Sequence, residues 1–183
     1  PEVLMWGSPE EIISAAEQYS GQTGEALLNT WVIPPEHDGA PRSCAAPPGC
    51  RYSYCREFDL DGNGQPEEFI LQDGTLTVRS GPDIIWQSPQ EWWVDYFFLG
   101  DANNDGTPEL NLLVWKEGSF GPRKPFWVEK DDPIVKNHLF IFKLEEGTFR
   151  AVWQSSNLDR PNYHAVLVDL DGDGENELIA AEG

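Results

Sequence analysis

Three segments of the chain set oxygen-bearing side chains at one common spacing. They are Asp59-Leu60-Asp61-Gly62-Asn63-Gly64-Gln65-Pro66-Glu67, Asp101-Ala102-Asn103-Asn104-Asp105-Gly106-Thr107-Pro108-Glu109 and Asp169-Leu170-Asp171-Gly172-Asp173-Gly174-Glu175-Asn176-Glu177. Counted from the first Asp, positions 1, 3, 5 and 9 carry Asp, Asn or Glu, and position 6 is Gly. This spacing suits a hard divalent cation. Ca2+ takes six to eight oxygen ligands at roughly 2.3–2.6 Å, so a short loop must curl around it. Residues 1, 3 and 5 point to one side, and Gly at position 6 permits the bend that turns the position-7 carbonyl of Gln65, Thr107 or Glu175 towards the ion. Position 9 closes the shell directly or through water. Asp-Gly and Asn-Gly also mark plain hairpin turns, which would account for one such segment. Three in register, each with Glu at position 9, point to calcium, with up to three ions expected. The third loop has four acids at positions 1, 3, 5 and 9, against three in each of the others.

An EF-hand makes the same opening demands but needs a bidentate acid at position 12 and flanking helices. Here position 12 is Ile70, Leu112 and Ala180, and the flanks read as strands. Other chemistry is weakly represented. The chain has no Gly-rich phosphate loop, no Gly-x-Ser-x-Gly and no His-Glu-x-x-His. His37, His138 and His164 stand at no spacing that suggests a nucleophile and its base, and His138 and His164 each open an expected strand as solvated or hydrogen-bonded residues. Cys44, Cys50 and Cys55 crowd into twelve residues. The turn-forming stretch between the first two favours a Cys44–Cys50 disulfide, with Cys50–Cys55 as the alternative. Zinc through His37 and the three Cys lacks the usual Cys-x2-Cys knuckle. Residues 116–137 hold a basic and aromatic cluster, and Arg123, Lys124, Phe126 and Trp127 are its candidate partner-binding residues. The competing reading is that Phe126 and Trp127 cover a sheet edge. Trp92-Trp93 and Tyr96-Phe97-Phe98 read as core-filling aromatics rather than a sugar-stacking platform.

The three loops and their strand flanks resemble the FG-GAP/VCBS type of repeat, whose calcium loops also occur in the β-propeller of integrin α chains. That family's pattern is Asp-x-[Asp/Asn]-x-[Asp/Asn]-Gly-x-x-[Asp/Glu] at a hairpin between two strands of a blade, and the resemblance covers about residues 52–183. It implies propeller-like, antiparallel four-stranded units with ion-stiffened hairpins, used as an extracellular binding platform or as an appendage to enzymes. The loops begin 42 and then 68 residues apart, so the units are unequal, about 52–93, 94–163 and 164–183. Glu68 stands where the family has an apolar residue, which makes it a rival to Glu67. Two full units and half a third fall short of the four blades of a closed propeller. A fragment, an open array and a sheet completed by residues 1–51 all satisfy the pattern.

The elements that must hold these loops are short strands parted by turn residues. Phe69–Leu71, Leu76–Val78 and Ile84–Trp86 are separated by Asp73-Gly74 and Gly81-Pro82-Asp83, and Leu110–Trp115, Leu139–Leu144 and Thr148–Trp153 follow. Ala165–Val168 and Glu177–Ala181 flank the last loop. Residues 1–51 read as a separate helical and Pro/Cys-rich segment. Ser8, Pro9 and Glu11 mark the start of a short helix, and Ala26–Ile33 forms a second apolar stretch. The expected fold is therefore mainly β with a short N-terminal helix. Of 183 residues, 32 are acidic and 12 basic, giving a net charge of −20, while 12 % are aromatic. That is too aromatic for a disordered chain, and its charge repels phosphate backbones and anionic lipid. No apolar run approaches the roughly 20 residues of a transmembrane helix. No export signal stands in the first thirty residues, so a signal segment would have to precede Pro1. Together these features favour a non-catalytic, calcium-binding module that binds protein or glycan in an extracellular, periplasmic or cell-surface setting. The alternative is an enzyme, or an accessory domain of one, acting on polysaccharide.

Overall fold

The computed structural model describes residues 53–120, 126, 127 and 129–182. The expected helix at Ser8, the stretch Ala26–Ile33 and the residues Arg123 and Lys124 lie outside them. Ten strands follow one another: β1 Ser53–Phe58, β2 Glu67–Gln72, β3 Thr75–Ser80, β4 Asp83–Gln87, β5 Trp93–Gly100, β6 Glu109–Glu117, β7 Val135–Glu145, β8 Thr148–Gln154, β9 Asn162–Val168 and β10 Glu177–Glu182. They form two four-stranded sheets, β1-β2-β3-β4 and β5-β6-β7-β8, and a hairpin, β9-β10. Every pairing is antiparallel, and none of the three sheets closes on itself. Local chemistry sets the tight turns. Asp73-Gly74 and Glu146-Gly147 have positive φ at both residues, the geometry that matches a two-residue turn to the twist of its strands. At Gly74, an added Cβ would also lie 2.4 Å from the Trp93 ring.

The sheets stack face to face, and β5-β6-β7-β8 is the middle layer. Residues alternate across a strand, so one face of this sheet presents Phe97, Leu110, Leu112, Val114, Phe140 and Phe142 to Phe69, Leu71, Leu76 and Val78. Its other face presents Phe98, Leu113 and Leu139 to Ala165 and Ala180 of the hairpin. Fully burying one such Phe or Leu contributes about 1.5–3 kcal/mol. The aromatic pairs show the alignment. Tyr54 of β1 lies 5.0 Å from Phe97 of β5, and Trp86 of β4 lies 5.6 Å from Phe149 of β8. The strand β9 in turn lies against β5. First strand therefore stacks on first strand through all three layers, which carries the hairpins after β1, β5 and β9 to the same side of the stack.

Two expectations need correction. Cys55 is disulfide-bonded, and the sequence offers only Cys44 and Cys50 as its partner. This excludes the Cys44–Cys50 pair: proximity along a turn was a weaker constraint than the anchoring of Cys55 in β1. His138 does not open a strand in solvent. β7 begins at Val135, so His138 is its fourth residue, fully buried, with neither ring nitrogen in a hydrogen bond. Burial and the nearby Lys116 ammonium push its pKa down, opposed more weakly by the adjacent backbone of Ser155 and Ser156. The polar run Lys136-Asn137-His138 concealed the extension, because buried polar residues break the apolar pattern by which a strand is read.

Candidate metal centres

Each motif occupies the connection between the first and second strand of its sheet, and the register is the same in all three. Phe58 pairs with Glu67, Gly100 with Glu109 and Val168 with Glu177. Position 9 is thus always the first residue of the outgoing strand, which fixes the side from which its carboxylate enters the loop. Glu67 and Glu109 are buried and Glu177 is half-buried. In every loop the position-9 Oε2 accepts the position-2 N–H: Leu60 to Glu67 at 2.9 Å, Ala102 to Glu109 at 2.9 Å and Leu170 to Glu177 at 2.7 Å. This repeated bond assigns the role in the first loop to Glu67, while Glu68 pairs in register with Arg79.

The rest of the loop winds around position 1. Its two carboxylate oxygens accept the N–H groups of positions 5 and 6, as in Asn63 to Asp59 at 3.0 Å and Gly64 to Asp59 at 2.8 Å. The second loop repeats this at 3.1 and 2.7 Å and the third at 3.1 and 2.9 Å. Position 3 accepts a second bond from the same position-5 N–H, and the position-5 side chain accepts the N–H of Gln65, Thr107 or Glu175. Asx turns of this kind supply a tight bend without strand pairing. Position 6 has φ of +86°, +86° and +91° at Gly64, Gly106 and Gly174, and nothing lies within 4 Å of an added Cβ. The glycines are therefore required by backbone conformation rather than by space.

Three groups of carboxylates could hold a metal ion, each with ligand oxygens within 4.8 Å of one another: Asp59, Asp61 and Glu67; Asp101, Asp105 and Glu109; Asp169, Asp171 and Glu177. Asn63 and Asn103 add amide oxygens at positions 5 and 3 of their loops. Asp173, Gln65, Thr107 and Glu175 belong to the same turns without joining those groups. The donors are all hard oxygens, with no sulfur or imidazole among them, which fits an alkaline-earth ion better than zinc or copper. Glu109 gives the sharpest test of fit. It is fully buried, and its Oε1 has no hydrogen-bond partner. A buried carboxylate oxygen left unpaired is costly, and a cation is the kind of partner that offsets the cost. Desolvation raises the pKa of both Glu67 and Glu109, and the neighbouring Asp61 and Asp59, or Asp105 and Asp101, add to the rise.

The second loop differs in having a basic side chain at its rim. Lys143 of β7 donates to Asp105 Oδ2 at 2.6 Å, holding the Asp105 carboxyl well below the usual range and raising its own pKa. Sequence reasoning missed this contact, since nothing local links residues 38 apart. The expected partner-binding cluster is only partly described. Phe126 and Trp127 are 94 % and 70 % exposed and meet edge to face, so they do not cover a sheet edge. Trp92, Phe97 and Phe98 are core residues as expected, whereas Trp93 is half-exposed. His164 is exposed beside Tyr96, with ring centroids 4.5 Å apart. No helix among the described residues is long and apolar enough to cross a membrane. The chain matches no known family model, no curated protein and no solved structure.

Proposed function

We propose that this protein is a calcium-binding β-repeat module of the FG-GAP/VCBS kind, with propeller-like units whose hairpins are stiffened by up to three Ca2+ ions, and that it works by binding rather than catalysis. The observation that carries this reading is Glu109: a fully buried carboxylate, converging with Asp101 and Asp105, with one oxygen left without a partner. Calcium is favoured over smaller ions because the donor set is all oxygen and several donors come from one flexible loop, whereas Mg2+ demands near-octahedral geometry and keeps its waters. Millimolar external calcium suits loops of this class, and the Cys55 disulfide agrees with an oxidising extracellular, periplasmic or cell-surface setting. Exposed Phe126 and Trp127, beside the basic Arg123, Lys124 and Lys130 of the sequence, form the contact region for a protein or glycan partner. The test is thermal unfolding in chelator and in millimolar Ca2+, with the bound ions counted by equilibrium dialysis. A raised melting temperature with ions bound is expected. An unchanged melting curve with no bound calcium overturns the reading.

A further inference from the structure

At positions 4 and 8 two of the loops share a Gly or a Pro and one departs with Asn, and these two asparagines, Asn104 and Asn176, touch each other. Position 4 takes a left-handed backbone in every loop, with φ of +71° at Gly62, +57° at Asn104 and +78° at Gly172. Glycine is the default there, and Asn is the side-chain-bearing residue that tolerates it best. Position 8 is Pro66 in the first loop and Pro108 in the second, but Asn176 in the third. The Asn176 N–H, which proline would lack, donates to Asn104 Oδ1 at 2.7 Å, and Asn104 Nδ2 donates back to the Asn176 carbonyl at 3.2 Å. Asn176 Nδ2 further donates to the Asp101 carbonyl at 3.0 Å.

We infer that this asparagine clasp couples the second and third loops, so that a cation bound in either one raises the affinity of the other, while the first loop binds independently. The inference rests on the proposed calcium reading. Each end of the clasp abuts the carboxylates. Asp101 is position 1 of the second loop, and Asn176 precedes Glu177, position 9 of the third. An ion that fixes Asp101 fixes the carbonyl that holds Asn176, and an ion that fixes Glu177 fixes the backbone that holds Asn104. Whatever ordering the first ion imposes on the clasp need not be imposed again by the second, and linkage makes the effect equal in both directions. Among the described residues no hydrogen bond joins the first loop to the second.

The amides of Gly64, Gly106 and Gly174, each bonded to the first Asp of its own loop, report the three loops separately in a Ca2+ titration followed by 15N NMR. Asp171→Asn weakens the third loop. In the natural background it should also move the Gly106 midpoint to higher calcium by about fivefold or more, within the ordinary range of coupling between sites. The Gly64 midpoint should stay in place. In the Asn104→Gly background, which installs the residue the other loops carry at that position, Asp171→Asn should leave the Gly106 midpoint unmoved. Asn176→Pro, which likewise installs the residue of the other loops, is the second variant and should uncouple the loops in the same way. A Gly106 midpoint indifferent to Asp171→Asn in the natural background overturns the clasp, as does an equal shift in all backgrounds. Absence of any calcium-dependent change at all three glycines overturns the clasp together with the calcium reading, and is thereby distinguished from binding without coupling.

Discussion

Glu109→Gln separates a metal ligand from a merely structural acid. Glu109 is fully buried; one carboxylate oxygen accepts the Ala102 N–H at 2.9 Å and the other has no partner. Glutamine preserves the first bond and places an NH2 group where no acceptor stands, at a cost of about 1–3 kcal/mol. The same change removes a buried charge that Asp105 and Asp101 repel, and this relief opposes the cost. In chelator the variant should therefore melt close to the parent, with the two differing by about 1 kcal/mol or less. With calcium the balance changes. A site at a free ion concentration 100 times its dissociation constant stabilises the fold by about 2.7 kcal/mol. Losing that contribution lowers the melting temperature by about 8 °C, at roughly 3 °C per kcal/mol for a domain of this size. Differential scanning calorimetry of both proteins, in chelator and in millimolar Ca2+, measures the two gaps. A parent-to-variant gap that is the same in both conditions would refute the reasoning, because Glu109 would then act only through packing.

Lys143→Met removes the ammonium that sits 2.6 Å from Asp105; calorimetric titration should show tighter calcium binding at the second loop, and unchanged or weaker binding would mean that Lys143 orders the ligands rather than competing for them. Burial holds His138 below its ordinary pKa of 6.5, so on acidification the unfolded chain takes up the proton first; stability is full above that pH and declines below it. His138→Phe should flatten the decline in denaturant unfolding between about pH 5 and pH 8, and an undiminished decline would place its origin elsewhere. Because Phe126 and Trp127 are 94 % and 70 % exposed, replacing both by Ser should leave stability within about 0.5 kcal/mol while weakening retention on a glycan or protein partner array; clear destabilisation would return them to the core.

The acidic groups were legible because each fits within nine residues, where spacing alone brings its carboxylates together, and the strands were legible from their apolar alternation and Gly-bearing turns. What escaped detection lies between segments. The contact from Asn104 to Asn176 spans 72 residues and that from Lys143 to Asp105 spans 38, and no local periodicity encodes either. The first left only a faint trace, since aligning the three motifs shows Asn104 and Asn176 among several departures, with Ala102, Asn103, Asn63 and all of position 7, and nothing in the alignment pairs them. The choice between Glu67 and Glu68 needed the strand register, which sets the face each side chain takes. The disulfide was misread for a related reason: loop proximity in sequence says little about which cysteine a strand holds in place.

β6 is covered on both sides, and this changes what specifies its alignment. In β2, buried and half-buried residues alternate, so sliding by one residue would turn its apolar side chains to solvent. The first six residues of β6 are all buried, so a slipped β6 would turn none of them to solvent and would instead exchange Leu110, Leu112 and Val114 for Glu109, Asn111 and Leu113 on the face towards the first sheet. Exposure cannot reject that error. Polar anchors can: Glu109 must reach the Ala102 N–H, and buried Asn111 must donate to the carbonyls of Glu109 and Gly100, at 3.1 and 3.3 Å. A slipped strand would strand these groups without partners in an apolar interior. The second loop and Asn111 thus serve as a proofreading device for the central sheet, rejecting misaligned pairings that would leave no apolar residue of β6 in water.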